Sequence, residues 1–172
     1  MIPRDPLANP ERLIRRVYAY AAYRLGDGPD AEDATSEAFE RALRYRESFD
    51  PRKGEPVSWL IGIARRVVDD QLAVRRPSFG TPPELAASGD LAAEVLERLE
   101  LARALDKLDR RAQELVALRY GADLTARQIA DLLELRTNSV EVALHRALRQ
   151  LRRDLEEPAP AAPLRGAETP IS

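Results

Sequence analysis

The sequence predicts an all-α protein of two small helical domains joined by a Pro-rich linker, the second ending in a helix-turn-helix. Ala, Leu, Arg and Glu, which favour helices, dominate the 172 residues, and no β-branched alternation of useful length interrupts them. Residues 75–90 contain three Pro and two Gly, and no helix should continue through Pro82 and Pro83. The chain therefore divides into domains over 8–76 and 94–155, an acidic flexible linker over 77–93, and a disordered tail over 156–172.

Three helices are predicted in the first domain. The segment "PERLIRRVYAYAAYRL" ends at Gly26, and "DAEDATSEAFERALRYR" carries acids in its first turn, where the helix dipole favours them. A loop follows, and "SWLIGIARRVVDDQLAVRR" begins a third helix with Ser58 as a candidate N-cap. One arc of that helix is apolar and should face the core, whereas Arg65, Arg66 and Asp69 lie outside it. The apolar arc consists of Trp59, Leu60, Ile63, Ala64, Val67 and Val68.

The second domain ends in two short helices separated by a tight turn. Thr125 and Gln128 have the spacing of a capping box, and Asn138 with Glu141 has the same spacing at the next helix start. Only "ELRT" lies between the two helices, which predicts a helix-turn-helix. Ala130 is small enough for the second helix to cross the first closely. The preceding segments "AAEVLERLELARALDKL" and "RRAQELVALRYG" predict two further helices.

The last predicted helix has one apolar and one cationic face. No acid occurs from Val142 to Arg153, although the whole chain has a net charge of −2. On a helical projection the apolar side chains lie on one arc, which is expected to pack against the rest of the domain. The opposite arc is almost wholly basic, as a helix that binds in the DNA major groove requires. A solvated surface is the alternative for such a face. The docking arc holds Val140, Leu144, Ala147, Leu148, Leu151 and Leu155, and the other holds Glu141, His145, Arg146, Arg149, Arg152 and Arg153.

The small number of arginines on this face indicates that the protein alone would bind DNA weakly. If all four arginines neutralise phosphates, the logarithmic salt slope is only about −3 to −4. Residues 77–100 carry five acidic groups against one basic group, which adds no affinity for DNA. Dimerisation or a large partner must therefore supply the remaining affinity. The sequence shows no heptad pattern that would favour a dimer.

Composition excludes several other functions. With no Cys and one His, disulfides, zinc sites and thiol catalysis are excluded, and no metal cluster or cofactor is expected. No Gly-rich phosphate loop or nucleophile–His motif is present, so an enzyme acting on a small-molecule substrate is not expected. No apolar run approaches 18 residues, and the N-terminus does not resemble a signal peptide. A cytoplasmic protein without membrane contact is therefore predicted.

Over about residues 10–155 the chain resembles the extracytoplasmic-function (ECF) group of bacterial sigma factors, the promoter-recognition subunits of RNA polymerase. "DAEDATSEAFERALR" is similar to the polymerase-docking helix of that group, and "WLIGIARRVVDD" is similar to its promoter-melting helix. The run from "LDKLDRRAQELV" to "LHRALRQLRR" resembles its minus-thirty-five-binding domain. The order and spacing of these motifs carry the resemblance.

The resemblance implies a role for each block. The protein would bind core RNA polymerase, through the clamp of the largest subunit and the flap of the second largest, and promoter DNA, with an anti-sigma factor as a possible further partner. Asp33, Glu37 and Arg41 would face the clamp. The loop at 48–58 and the helix after it would take the minus-ten element through Phe49, Arg52, Lys53, Arg65, Arg66, Arg75 and Arg76. The upstream element would be read by Thr137, Asn138, Ser139, Glu141, His145, Arg146 and Arg149.

Several positions depart from the pattern of the group, among them Val142 and Ala143, where Ser and Arg are common, and the run after Asp70, which is less basic than usual. Arg66 stands where Asn is usual, and Glu134 stands where a helix-turn-helix often has Gly. Glu141 occupies a recognition-helix position where a Lys is common, and a carboxylate there can accept from cytosine N4 but repels phosphate. Apart from the sigma factor, a free-standing helix-turn-helix regulator stays open as an alternative. Trp59 is predicted to pack in the core, and Phe39 likewise.

Overall fold

A computed structural model describes residues 5–74 and 91–156, with the side chains of 91–95 left aside. The described residues contain helices and no strand, which confirms the all-α prediction. A 3₁₀ turn over Arg46–Ser48 follows the second helix, and a π-helical turn over Ala117–Gly121 continues the fifth. The α-helices are α1 (Pro10–Leu25), α2 (Pro29–Tyr45), α3 (Pro56–Val74), α4 (Leu91–Asp106), α5 (Arg110–Val116), α6 (Ala126–Leu133) and α7 (Thr137–Glu156).

The first three helices pack against one another, and local sequence sets their ends. Asn9 caps α1 by accepting from the Arg12 N–H, and α1 ends at Gly26, whose positive φ of 91° suits a residue without a Cβ. The buried face of α2 is built from small residues, which lets α1 and α3 approach closely. These residues are Ala31, Ala34, Thr35, Ala38 and Ala42.

The predicted start of α3 was wrong. The helix begins at Pro56, where the missing N–H of proline has no cost, and not after a cap at Ser58. Ser58 lies inside the first turn, and its Oγ is buried without a hydrogen-bond partner among the described residues. The buried face is also broader than predicted, since Ile61 is fully buried as well.

The last four helices follow the sequence signals more closely. Asp109 caps α5 by accepting from the Ala112 N–H at 2.8 Å. Helix α4 begins at Leu91, so residues 91–93 are helical where the sequence predicted linker. The predicted linker segment 77–90 and the tail from 157 onward lie outside the described residues. A small apolar cluster joins α4, α5 and α7 through Ala104, Leu105, Leu108, Val116, Ala147 and Leu151.

The two blocks share one hydrophobic core in this structure. Its buried residues run without a break from α1, α2 and α3 into α5, the π-helical turn, α6 and α7. Tyr20 and Val17 of α1 lie in the same cluster as Leu118, Leu124 and Ile129 of the second block. The sequence predicted two domains but gave no sign that they pack together.

Candidate nucleic-acid interface

Helices α6 and α7 form the predicted helix-turn-helix. The capping box at α6 is complete: Gln128 N–H donates to Thr125 Oγ1 at 3.2 Å, and Thr125 N–H donates to Gln128 Oε1 at 2.9 Å. The turn is tight because Glu134 takes a left-handed backbone (φ 55°, ψ 44°), and the next N–H, of Leu135, donates to the Ala130 carbonyl at 2.8 Å. Ala130 is buried, as the prediction of a close helix crossing requires.

Helix α7 presents its cationic arc to solvent. His145, Arg146, Arg149, Arg152 and Arg153 are all exposed, whereas the opposite side is buried. The docking arc is narrower than predicted, because Leu148 and Leu155, at its edge, are 36% and 45% exposed. Their predicted docking was wrong. The residues that dock are Val140, Leu144, Ala147 and Leu151.

The first turn of α7 is exposed but not capped in the predicted way. The helix begins at Thr137, and the Arg136 carbonyl accepts from the N–H groups of Ser139 and Val140 at 2.9 and 3.2 Å. Asn138 therefore lies one residue inside the helix and cannot cap it, which corrects that prediction. Thr137, Asn138, Ser139 and Glu141 are all exposed on this turn.

On α2, the predicted docking residues occupy one helix face. Asp33 is exposed, and Glu37 forms an ion pair with Arg41 one turn later. Arg41 also reaches Asp70 of α3 at 3.4 Å. Desolvation lowers the pKa of Arg41, but the hydrogen bonds to Glu37 and Asp70 outweigh it and leave the pKa raised. Phe39 packs against the core, as predicted.

The loop before α3 places aromatic and charged side chains around a cavity of about 460 Å³. Phe49 and Trp59 meet edge to face, with ring centroids 5.6 Å apart. Trp59 is half-buried, so the core packing predicted for it is only part of its environment. Asp50 accepts two hydrogen bonds from the Arg52 guanidinium, at 3.0 and 3.1 Å, and these together with the Arg52 backbone N–H lower the pKa of Asp50. Lys53 also lines the cavity.

A second cavity of about 430 Å³ lies between α2 and α3. Trp59 and Arg66 line it, together with residues that sequence reasoning missed: Arg44 and Tyr45, the latter 53% exposed. Arg44 and Tyr45 follow Arg41 by three and four residues, so they lie on the same face of α2. That spacing could have indicated them from the sequence. Guanidinium groups beside aromatic rings suit unstacked bases and their phosphates.

Among the remaining residues predicted to contact the minus-ten element, Arg65 already has acidic partners within the protein. It forms an ion pair with Glu114 of α5, and Asp69 lies 4.0 Å away. Desolvation lowers the pKa of Arg65, but the hydrogen bond and charge of Glu114 more than compensate, and the pKa is raised. Nothing in the sequence pointed to Glu114. Arg75 and Arg76 lie outside the described residues.

Comparison with known proteins decides the family. Residues 11–77 match sigma-70 region 2, and residues 98–151 match sigma-70 region 4. The chain is 33% identical to the ECF RNA polymerase sigma factor BldN of Streptomyces coelicolor, over 83% of this chain and 57% of BldN. It is 30% identical to the ECF sigma factor SigK of Mycobacterium ulcerans, over 85% of this chain and 83% of SigK. The chain belongs to the ECF sigma factors.

The structural comparison agrees with this fold. The sigma factor RpoE, in a co-crystal structure with the anti-sigma factor NepR from Bartonella quintana, superposes with a TM-score of 0.67 at 19% identity. The match covers 84% of this chain and 92% of that chain. At 19% sequence identity, this structural similarity establishes a shared helical fold and nothing about function.

As a sigma factor, the protein directs RNA polymerase in transcription initiation, and its two matched regions bind core polymerase and promoter DNA. The free-standing regulator is not favoured, because a region 2 match accompanies the helix-turn-helix. Within residues 5–74 and 91–156, no helix is long and apolar enough to cross a membrane.

Proposed function

We propose that this sigma factor divides its task among three surfaces. The α2 face with Asp33, Glu37 and Arg41 docks on the clamp of the largest polymerase subunit. The loop at 48–58 and the outer face of α3 hold the minus-ten strand, and α7 reads the minus-thirty-five element. The observation that carries this proposal is α7, on which Val140, Leu144, Ala147 and Leu151 are buried while four arginines and His145 face solvent.

The minus-ten surface combines two kinds of contact. Phe49, Trp59 and Tyr45 offer rings for bases that leave the stack, at about 1–3 kcal/mol per base. Lys53 and Arg66, both exposed, offer charges for the phosphates. Arg52 can join them if its pair with Asp50 opens. Together these contacts offset the cost of separating base pairs, about 1.4 kcal/mol per stacking step.

The protein acts as a non-catalytic specificity subunit and works in the cytoplasm, where the polymerase is. The second domain also contacts the flap of the second-largest polymerase subunit. An anti-sigma factor is a further partner of this proposal. It is supported by the fold shared with RpoE, which its structure shows in complex with the anti-sigma factor NepR.

Run-off transcription tests the proposal. Core polymerase is incubated with the purified chain on promoters selected from a random pool, and we expect transcripts that depend on the chain. The variant Asp33→Lys should lower transcription and co-purification with polymerase, since it reverses charge on the docking face. The matched control Asp106→Lys changes an exposed acid on α4 and should leave both nearly unchanged. Equal losses in the two variants would contradict the assignment of the α2 face.

A further inference from the structure

Charge is unevenly distributed along the exposed side of α7. From Thr137 to Leu144 the helix has no cation, and the only charged residue in that stretch is Glu141. The exposed cations begin with His145 and continue to Arg153. The first two turns therefore differ in chemistry from the rest of the helix. Binding to phosphates does not explain them, because a carboxylate and a phosphate repel each other.

The structure removes two roles that Glu141 could have had within the helix itself. It does not belong to a capping box, because Arg136 and not Asn138 occupies the cap position of α7. It also lies beyond the first turn of the helix, and the helix dipole favours an acid only within that turn. Local helix stability therefore gives no reason for an acid at this position.

The Glu141 carboxylate also has no partner within the part of the chain that the structure describes. Its side chain is exposed, and no hydrogen bond or ion pair among residues 5–74 and 91–156 involves it. The residues one turn before and after it are Thr137 and His145. The nearest arginine on the same side of α7 is Arg149, about 12 Å further along the helix axis. The carboxylate is therefore available to accept a hydrogen bond from a bound molecule.

The neighbours of Glu141 indicate what this part of the helix can contact. Val142 is 42% exposed, whereas Val140 is fully buried. An aliphatic side chain has nothing to offer a phosphate, but it packs on the methyl group of a thymine in the major groove. Asn138, also exposed, is a residue type that bonds adenine through both N6 and N7. The first two turns thus carry side chains suited to base edges.

The position of Glu141 in the helix-turn-helix suits such a contact. In this motif the N-terminal part of the second helix contacts base edges, while the first helix crosses the DNA backbone. Arg127 on α6 and Arg136 before α7 are exposed, as is Arg149 towards the other end of α7. Cations on both sides can hold phosphates while the carboxylate faces the groove. Their charge also offsets the repulsion between Glu141 and the DNA backbone.

A carboxylate discriminates among the four bases in the major groove. Cytosine presents the N4 amino donor there, adenine presents its N6 donor beside the N7 acceptor, and guanine and thymine present acceptors. An ionised carboxylate only accepts hydrogen bonds, so acceptors repel it. We propose that Glu141 determines the specificity for the upstream element by accepting a hydrogen bond from N4 of one cytosine. This inference rests on the proposed function and specifies what α7 reads.

Promoter selection by the holoenzyme tests this assignment. Core polymerase with the wild-type chain, or with Glu141→Gln, selects DNA from a pool randomised over the upstream element. We expect the wild type to require cytosine at one position, with about tenfold weaker binding when that base pair is changed. At that position Glu141→Gln should prefer adenine, because an amide accepts from N6 and donates to N7. The bases selected at the other positions should stay the same.

Glu134→Gln is the matched control, because it removes the same charge from an exposed acid in the same helix-turn-helix and should keep the cytosine preference. The readout is a ratio between templates, which a general loss of fold or charge does not shift towards another base. The inference is wrong if the wild type and Glu141→Gln select the same bases, or if the position that changes is not cytosine in the wild type. If the wild type directs no transcription with core polymerase, the proposed function itself is wrong.

Discussion

Glu134 shows how one residue can carry strain that its family position usually avoids. It stands at the turn of the helix-turn-helix with φ 55°, in the left-handed region where a Cβ is unfavourable. The backbone is held there because its N–H donates to the Ala130 carbonyl and the following N–H, of Leu135, donates to the same oxygen. The turn therefore forms despite its residue, because the two helices and their caps determine it.

Glu134→Gly should raise the free energy of unfolding by about 1 kcal/mol, since glycine adopts this backbone without the Cβ penalty. Urea denaturation followed by circular dichroism measures it. Glu134→Ala is the matched control, because it removes the charge and keeps the Cβ. An alanine variant as stable as the glycine variant would show that the carboxylate, and not the backbone, causes the strain.

At the scale of helices, two sequence signals with the same spacing had different outcomes. Thr125 with Gln128 and Asn138 with Glu141 both have capping-box spacing, but only the first pair caps a helix. The second fails because α7 starts at Thr137, which puts Arg136 and not Asn138 at the cap position and lets Val140 enter the core. Packing of the apolar arc therefore fixed the start of α7 more strongly than the local signal did.

Thr125→Ala should lower the free energy of unfolding by about 1 kcal/mol, because α6 loses its side-chain cap. Asn138→Ala should change it little, since the Asn138 side chain caps nothing. Thermal and urea unfolding of the two variants, with amide exchange on α6, make the comparison. A larger loss for Asn138→Ala than for Thr125→Ala would contradict the observed helix start.

The exposed cationic arc of α7 makes a prediction about salt. Arg149→Gln should weaken binding to upstream promoter DNA by the polymerase holoenzyme and reduce the logarithmic salt slope by about 1, if it contacts one phosphate. Titration at several salt concentrations measures the slope. Arg103→Gln, an exposed arginine on α4, is the matched control and should keep it. Equal changes would mean that the slope reports net charge and not a contact.

At the scale of the whole molecule, the two blocks share one hydrophobic core, which predicts that they unfold together. The apolar cluster extends from α1 to α7, and the ion pairs of Glu114 lie across the same boundary. Burial also raises the pKa of Tyr20 well above its usual value, because its ring lies at the centre of this contact. Separation of the blocks would expose that surface to water.

Unfolding of the full chain should therefore follow one transition. Trp59, the only Trp in the sequence, packs in the first block and faces α6 across the cavity, so its fluorescence reports both. We expect the urea transitions of Trp59 fluorescence and of helical circular dichroism to coincide. In Gly121→Ala, whose added Cβ would lie 2.9 Å from Tyr20 Cα of α1, the two transitions should separate. Two distinct transitions in the wild type would show that the blocks unfold independently.

The sequence by itself determined the helical class, the helix-turn-helix, the cationic face of α7 and the resemblance to ECF sigma factors, because periodicity, caps and motif order are local properties. Only the tertiary structure decided which arc residues dock, where α3 and α7 begin, and that Glu114 forms ion pairs with both Arg24 and Arg65. Contacts between distant segments have no periodic signature. They depend on how two buried faces fit, as at Gly121, where an added Cβ would lie only 2.9 Å from Tyr20 Cα of α1.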